Sequence, residues 1–245
     1  MAQLDEQGRA IRRTVPLEGM RKVIAERMTF SKHEYPQGTG QVHLEVSRVM
    51  QFRQELLERK GIKVSFGDIY VKAAACALEE NMALNASRQN GRIIYYEDIN
   101  INVMASFNGV LMEPVLEHVD RRDIEEVSAE LKKTYEYLKK GKLMRVKLEG
   151  GTFSVSNMGG ALIDSQQPFL SPPQGAIMGI SRSRRVPTFG ENDEIVAANL
   201  TNFALTIDHG LCDGSEVTGF FASLDKVLQD PWRWMYHKRP APQEA

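Results

Sequence analysis

The sequence predicts a mixed α/β domain with helices packed on one face of a sheet. Helical and strand periodicities alternate through the first half of the chain. Strand patterns crowd the second half, and the last of them runs straight into a short histidine-bearing loop before a final amphipathic helix. Alternation followed by clustered strands is the pattern of a sheet covered by helices.

Taking the elements in order, residues 1 to 15 are polar, mixed in charge and without period, and read as an arm. A first helix is expected from Leu17 to Ser31, where Met20, Val23, Ile24, Arg27 and Met28 recur at spacings of three and four. Val42, Leu44 and Val46 then alternate with His43, Glu45 and Ser47 as a strand. A second helix spans Ser47 to Lys60 and stops at Gly61. Ser65 and Asp68 make a cap-like pair before a third helix through Glu80. Its small run Ala73 to Ala77 suits close packing under a sheet.

Strands are expected at Arg92–Ile94, Ile99–Ser106 and Val110–Val115. Asp123 opens a strongly periodic helix with Ile124, Val127, Leu131 and Leu138 on one face, ended by Gly141. Strands follow at Thr152–Ser156, Ala176–Ile180, Ile195–Ala197 and Leu200–Ile207. A last helix from Ser215 to Leu228 turns Val217, Phe220, Phe221, Leu224 and Leu228 inward. The tail from Pro231 ends in proline and charge and reads as loosely held. One catalytic domain, residues 16–231, between an arm (1–15) and a tail (232–245) is the economical division.

Composition narrows the function. Over 245 residues, 42% are hydrophobic and 26% charged, with a formal charge of −1. That chain can bury a sizeable core, and it carries no bulk attraction toward nucleic acid or an anionic membrane. No apolar stretch approaches the roughly 18 residues that suggest a membrane span, and the charged N-terminus lacks the apolar core of a secretory signal. Cys76 and Cys212 show no C-x-x-C or Cys/His metal spacing. No metal site, two free thiols and a cytoplasmic location are expected.

The chemistry concentrates at Asp208-His209-Gly210-Leu211-Cys212-Asp213-Gly214. A strand end is a rigid mount, and a loop there can present a side chain to a cleft. Histidine suits general-base work because its ordinary pKa is near neutrality. A lone histidine on a strand is more often structural. The spacing from His209 to Asp213 and Gly214 shifts the balance toward function.

The run DHGLCDGSEVTGFF resembles the active-site signature of the acyltransferase core of 2-oxoacid dehydrogenase complexes and of the related chloramphenicol acetyltransferases. Four further blocks resemble the core in the same order. They are Gly19–Met28, then Val71-Lys72-Ala73 with Leu84-Asn85-Ala86, then Gly150–Gly159, then Pro172–Ile180. The resemblance implies a chloramphenicol acetyltransferase-like two-layer sandwich. It also implies that His209 takes the proton of a thiol, either dihydrolipoamide or coenzyme A, and that Ser156 donates a hydrogen bond to the tetrahedral oxyanion. Asp213 is implied to fix the loop through an ion pair with Arg21, with Gly210 and Gly214 shaping the turn. Cys212 reads as packing.

The family resemblance further implies a homotrimer with His209 of one copy facing Ser156 of the next. Coenzyme A, as substrate, and a lipoyl group carried by another domain or chain would enter from opposite ends. Trimers of complex cores often assemble into cages with the other dehydrogenase components. This sequence also departs from the pattern. Gly210 stands where the complex cores usually have arginine, and Leu211-Cys212-Asp213 leans toward the chloramphenicol acetyltransferases. That keeps open a coenzyme A-dependent transfer to a small hydroxyl or amine, or a weakly active assembly scaffold. The residues from 159 to 171 diverge where the acyl pocket would lie, and serine rather than threonine at 156 disfavours succinyl groups. No lipoyl-domain motif is present in the sequence. Trp232, Trp234, Met235 and Tyr236 stand where a leucine-rich hook would reach a neighbouring trimer. They either plug a partner pocket or fold back on their own subunit.

Overall fold

The computed structural model describes residues 3–107, 110–190 and 192–241. Its helices are α1 (Gly19–Glu34), α2 (Ser47–Lys60), α3 (Phe66–Glu79), α4 (Ile124–Lys139), α5 (Gly214–Gln229) and the short α6 (Pro231–Trp234). Its strands are β1 (Gln37–Glu45), β2 (Ala86–Gln89), β3 (Arg92–Tyr95), β4 (Ile101–Val103), β5 (Ala105–Phe107), β6 (Val110–Met112), β7 (Val115–Leu116), β8 (Phe153–Asn157), β9 (Ala176–Phe189) and β10 (Ile195–Asp208). The main sheet runs β1-β10-β9-β8-β4-β7, with β2-β3 and β5-β6 as separate hairpins. The pairs β9-β8 and β8-β4 are parallel and the others antiparallel.

Alternation along the strands sorts the two faces. Val155, Met178, Ile180, Phe203 and Leu205 pack into the core with α2, α3, α4 and α5. The opposite face carries Thr39, Ser154, Ser156, Asn202, Thr206 and Asp208. An irregular strap crosses it: Gln166 donates to the carbonyls of Ile180 and Ser156, and Leu170 packs on Ile177. Gly179 makes room for that strap, since a Cβ there would come within 2.9 Å of Gln166. The two-layer α/β sandwich predicted from the sequence is present, with this strap as an addition.

The helix caps match the sequence reading closely. Ser65 and Asp68 form a reciprocal capping box on α3, and Asp123 with Glu126 forms another on α4. Such caps satisfy backbone donors that a helix start leaves unpaired. The packed run Ala73 to Ala77 is wholly buried, as its small side chains suggest.

Several expectations are corrected. The single strand expected at 99–106 is two: at Met104 the chain leaves β4, where the Met104 amide donates to the Val155 carbonyl, and among the described residues β5 pairs with β6 alone. The strand expected at 110–115 is broken by Glu113 and Pro114 into β6 and β7. Strands expected at 195–197 and 200–207 are one continuous β10, kinked by a register shift between Thr201 and Phe203. The α1 face packs only partly on its own chain, with Ile24 and Met28 half-buried. Only Ser31 of that helix is buried, while Met20 and Val23 are half exposed. What anchors α1 is polar: Arg27 donates to Glu113, Ser171 and the Pro172 carbonyl.

The tail is also not loose. Trp234 and Met235 are buried, Trp232 meets Phe52 edge-on and donates to Glu55, and Tyr236 donates to Glu125. The aromatics therefore fold back on their own subunit. Lys72, completely buried, holds the tail from inside by donating to the carbonyls of Val119, Asp120 and His237. Residues 242–245 of the tail, and residues 1 and 2 of the arm, lie outside the described residues. No described helix is long and apolar enough to cross a membrane.

Candidate active site at the end of strand β10

β10 delivers Asp208 and His209 at its carboxyl end, beside the start of β1. The pairing continues one residue past the strand: the His209 amide donates to the Pro36 carbonyl at 2.7 Å. Alternation then sends the two side chains to opposite faces. Asp208 turns to the strap face and is completely buried. His209 turns to the helix face and is exposed. Two glycines of β1 clear its surroundings. A Cβ on Gly38 would come within 2.9 Å of His209 Cδ2, and one on Gly40 within 2.6 Å of Val217 in α5. Gly38 lets the imidazole lie against the strand, and Gly40 lets α5 pack close beneath it.

The loop after His209 is organised by Asp208. Its Oδ1 accepts from the Gly210 amide at 2.9 Å, and its carbonyl accepts from Leu211 and Cys212. Arg88, from β2, closes the other side: Nε donates to Asp208 Oδ2 at 2.7 Å and Nη2 to the Glu34 carbonyl. This pairing raises the guanidinium pKa further, chiefly through the Asp208 hydrogen bond. Sequence reasoning missed Arg88 because it lies 120 positions from Asp208 in a turn-like stretch.

The other expected site residues fall as follows. Asp213 caps α5, accepting from the Ser215 amide and hydroxyl, and Glu216 completes the capping box. Those bonds, the Ser215 amide first, hold its carboxyl below the usual range. The Arg21–Asp213 pair implied by the resemblance is not formed within the chain: Arg21 is exposed on α1, and Asp213 is engaged at the α5 cap. Asp213 thus fixes the loop through a helix cap rather than through an ion pair. Gly214 is the first residue of α5 and stands in open space, whereas Gly210 is crowded by Arg88 and Asp208. Cys212 is buried, donates to the Ala83 carbonyl, and has its thiol pushed up to about 12 by burial. A thiol so placed is packing, not a nucleophile.

Ser156 lies near the end of β8, half-buried on the strap face. It is level with Gly179 on β9, which is level with Ala204 on β10. Two strands and five residues therefore separate it from His209, a distance of about 19 Å between backbones at ordinary strand rise and spacing. One chain does not bring the two together. A cavity of about 260 Å³ opens at the same end of β8 but on its helix face, lined by Ser65, Gly67, Val103, Val155 and Asn157 among others and not by Ser156. A larger one, about 630 Å³, lies at the opposite ends of β4 and β8, between Arg27, Asn100, Asn102, Thr152 and Gln174. No group of three or more His, Cys, Asp or Glu able to hold a metal occurs among the described residues.

Residues 10–236 match the family described as 2-oxoacid dehydrogenases acyltransferase (catalytic domain). The chain belongs to this family. It is 29% identical over 221 residues to the dihydrolipoyllysine-residue acetyltransferase component of the acetoin cleaving system of Bacillus subtilis, a match covering 89% of this chain and 55% of that protein. It is 31% identical over 225 residues to the succinyltransferase component of the 2-oxoglutarate dehydrogenase complex of Haemophilus influenzae, covering 89% and 54%. The chain thus spans about half the length of the curated relatives it matches. Among solved structures, a probable dihydrolipoamide acetyltransferase from Listeria monocytogenes superposes with a TM-score of 0.83 at 26% identity, covering 89% of this chain and 94% of that one. The dihydrolipoamide acetyltransferase of Azotobacter vinelandii gives 0.87 at 22%, covering 96% and 98%. A chloramphenicol acetyltransferase shares the fold, with a TM-score of 0.54 at 16% identity, covering 88% and 99%.

Proposed function

We propose that this chain is the acyltransferase domain of a dihydrolipoamide acyltransferase, with an active site completed between two copies. It moves an acyl group between a thioester, acyl-dihydrolipoamide or acyl-coenzyme A, and a thiol. The observation that carries this reading is the membership of residues 10–236 in the acyltransferase family, with His209 presented at an exposed strand end inside that span. His209 takes the proton of the acceptor thiol. The thiolate attacks the thioester carbonyl, and the carbon–oxygen double bond becomes a tetrahedral oxyanion. Ser156 of a second copy donates its hydroxyl to that oxyanion. Collapse expels the first thiol as a thiolate, which takes the proton back from the imidazolium. General-base catalysis of this kind contributes typically about 10²–10⁴ in rate, and one oxyanion donor about 10²–10³.

The separation of about 19 Å between His209 and Ser156 within one chain supports a site shared between copies, since strand spacing alone keeps them apart. The half-exposed apolar face of α1 supports close association of copies. In this reading three copies form a trimer, coenzyme A is a substrate, and the lipoyl group arrives on another domain or chain. The inward folding of Trp234 and Met235 leaves those two side chains unavailable as a hook, so further assembly of trimers into a cage would use other surfaces. The test is acyl transfer from acetyl-, isobutyryl- and succinyl-coenzyme A to free dihydrolipoamide. Turnover lost in His209→Ala supports the reading. Unchanged turnover in that variant overturns the base assignment, and transfer to a hydroxyl or amine but not to dihydrolipoamide overturns the acceptor.

A further inference from the structure

Asp208 is completely buried, yet it adjoins the exposed base. A buried carboxylate needs a paired charge or hydrogen bonds to every lone pair. Arg88 supplies the charge, reaching across from the β2-β3 hairpin to bond both carboxylate oxygens, at 2.7 and 3.4 Å. The same guanidinium donates to the Glu34 carbonyl at 2.9 Å and stands 5.1 Å from the ring centre of Tyr35. These contacts close a ring of interactions around His209. Glu34 and Tyr35 lead into Pro36, whose carbonyl holds the His209 amide, and Asp208 precedes His209 while capturing the Gly210 amide. The space for Arg88 exists because residue 210 has no side chain. A Cβ there would lie 3.2 Å from Arg88 Nε and 3.2 Å from Asp208 Oδ1, tighter than ordinary van der Waals contact.

We infer that Arg88 is a positioning residue for His209, clamping Asp208 and the end of α1 from the space that Gly210 leaves empty. It acts on the reaction through the backbone of the base, without touching substrate. A misplacement of about 1 Å in a catalytic group can cost on the order of 10²-fold in rate, so the clamp bears on turnover more than on substrate binding. Arginine suits the task because its planar fork meets the carboxylate and the Glu34 carbonyl at once. This inference rests on the acyltransferase reading only for its kinetic consequence; the clamp itself is a property of the loop.

The test compares the parent with Arg88→Gln and Arg88→Lys. With acyl-coenzyme A and dihydrolipoamide, Arg88→Gln is expected to lower kcat by about tenfold or more, with both KM values within about twofold. Arg88→Lys, which keeps the charge, is expected to recover most of the loss. Amide hydrogen exchange gives the second readout: protection at Gly210 and Leu211 should fall about tenfold or more in Arg88→Gln, with that at Leu205 in the sheet unchanged. Parental kcat in Arg88→Gln together with unchanged exchange at Gly210 would overturn the inference. So would a loss of protection spread equally through Leu205, which marks general destabilisation. If the parent itself turns over no donor, the acyltransferase reading fails, and the exchange measurement still decides the clamp.

Discussion

The imidazole of His209 lies directly against Gly38 of β1, where a Cβ would approach its Cδ2 to 2.9 Å. The ring therefore has its place because its neighbour has no side chain. Gly38→Ala introduces one methyl group into that contact while leaving the β1-β10 pairing intact. Overpacking of this size costs about 1–3 kcal/mol where the surroundings cannot yield. His209 is exposed and can yield by turning away, so the cost is expected mainly in kcat, on the order of tenfold or more. Steady-state kinetics beside urea denaturation check this. Parental kcat in Gly38→Ala would show that the ring works from another rotamer.

Lys72 and the tail make a second test. Its ammonium is buried and shared among three carbonyls, one of them in the tail at His237. Lys72→Met keeps the volume and removes the donor, so buried acceptors lose their partner at about 1–3 kcal/mol each. A loss of about 3 kcal/mol in urea denaturation is expected, with faster proteolysis after Trp234. Unchanged stability would mean that water replaces the ammonium without cost.

Much of the fold was legible because its signals are local. The capping boxes at Ser65 and Asp123, and the apolar stripe from Ile124 to Leu138, need no tertiary partner to be read. β1 was only half legible, since Gly38, Thr39, Gly40 and Gln41 carry no strand pattern. Gly38 and Gly40 answer instead to His209 and α5 packed above them, while Thr39 and Gln41 face Thr206 and the strap. The full length of β9 was hidden by Arg182 to Pro187, a polar stretch with a proline. The β8 ladder ends at Ile180, and beyond it only the Arg182 amide finds a backbone partner on that side, the Ile163 carbonyl, among the described residues; such an edge tolerates both. In the site, His209 was legible from strand end and spacing, and the roles of Ser156 and Asp213 only through the family resemblance. Arg88 was not, because its meaning comes only from the carboxylate that the sheet brings to it. Arg21 was misassigned as a partner for the converse reason: the Asp213 carboxylate is already engaged by its own helix.

The acid limit of stability is expected to depend on the α4 cap. Burial pushes the Asp123 carboxyl up, but the Glu126 and Glu125 amides and Lys238 outweigh it and hold its pKa below 3.8. A folded-state pKa below the unfolded value means stability that is present above about pH 4 and lost as pH falls through the folded value. Asn also caps helices but does not titrate. The stability gap between the parent and Asp123→Asn should therefore be constant above about pH 5 and shrink below about pH 4. Thermal melts across that range check it, and a gap that widens in acid would contradict the sign.

The shared site has a direct test in mixed assemblies. Ser156→Ala and His209→Ala are each expected to be nearly inactive, for lack of the donor or the base. Co-assembled in equal amounts, their copies form some junctions in which an intact His209 meets an intact Ser156. Random head-to-tail mixing gives about a quarter of the parental activity. Recovery to that level is the expected result. Activity no higher than that of the two variants measured separately would contradict a site built between copies.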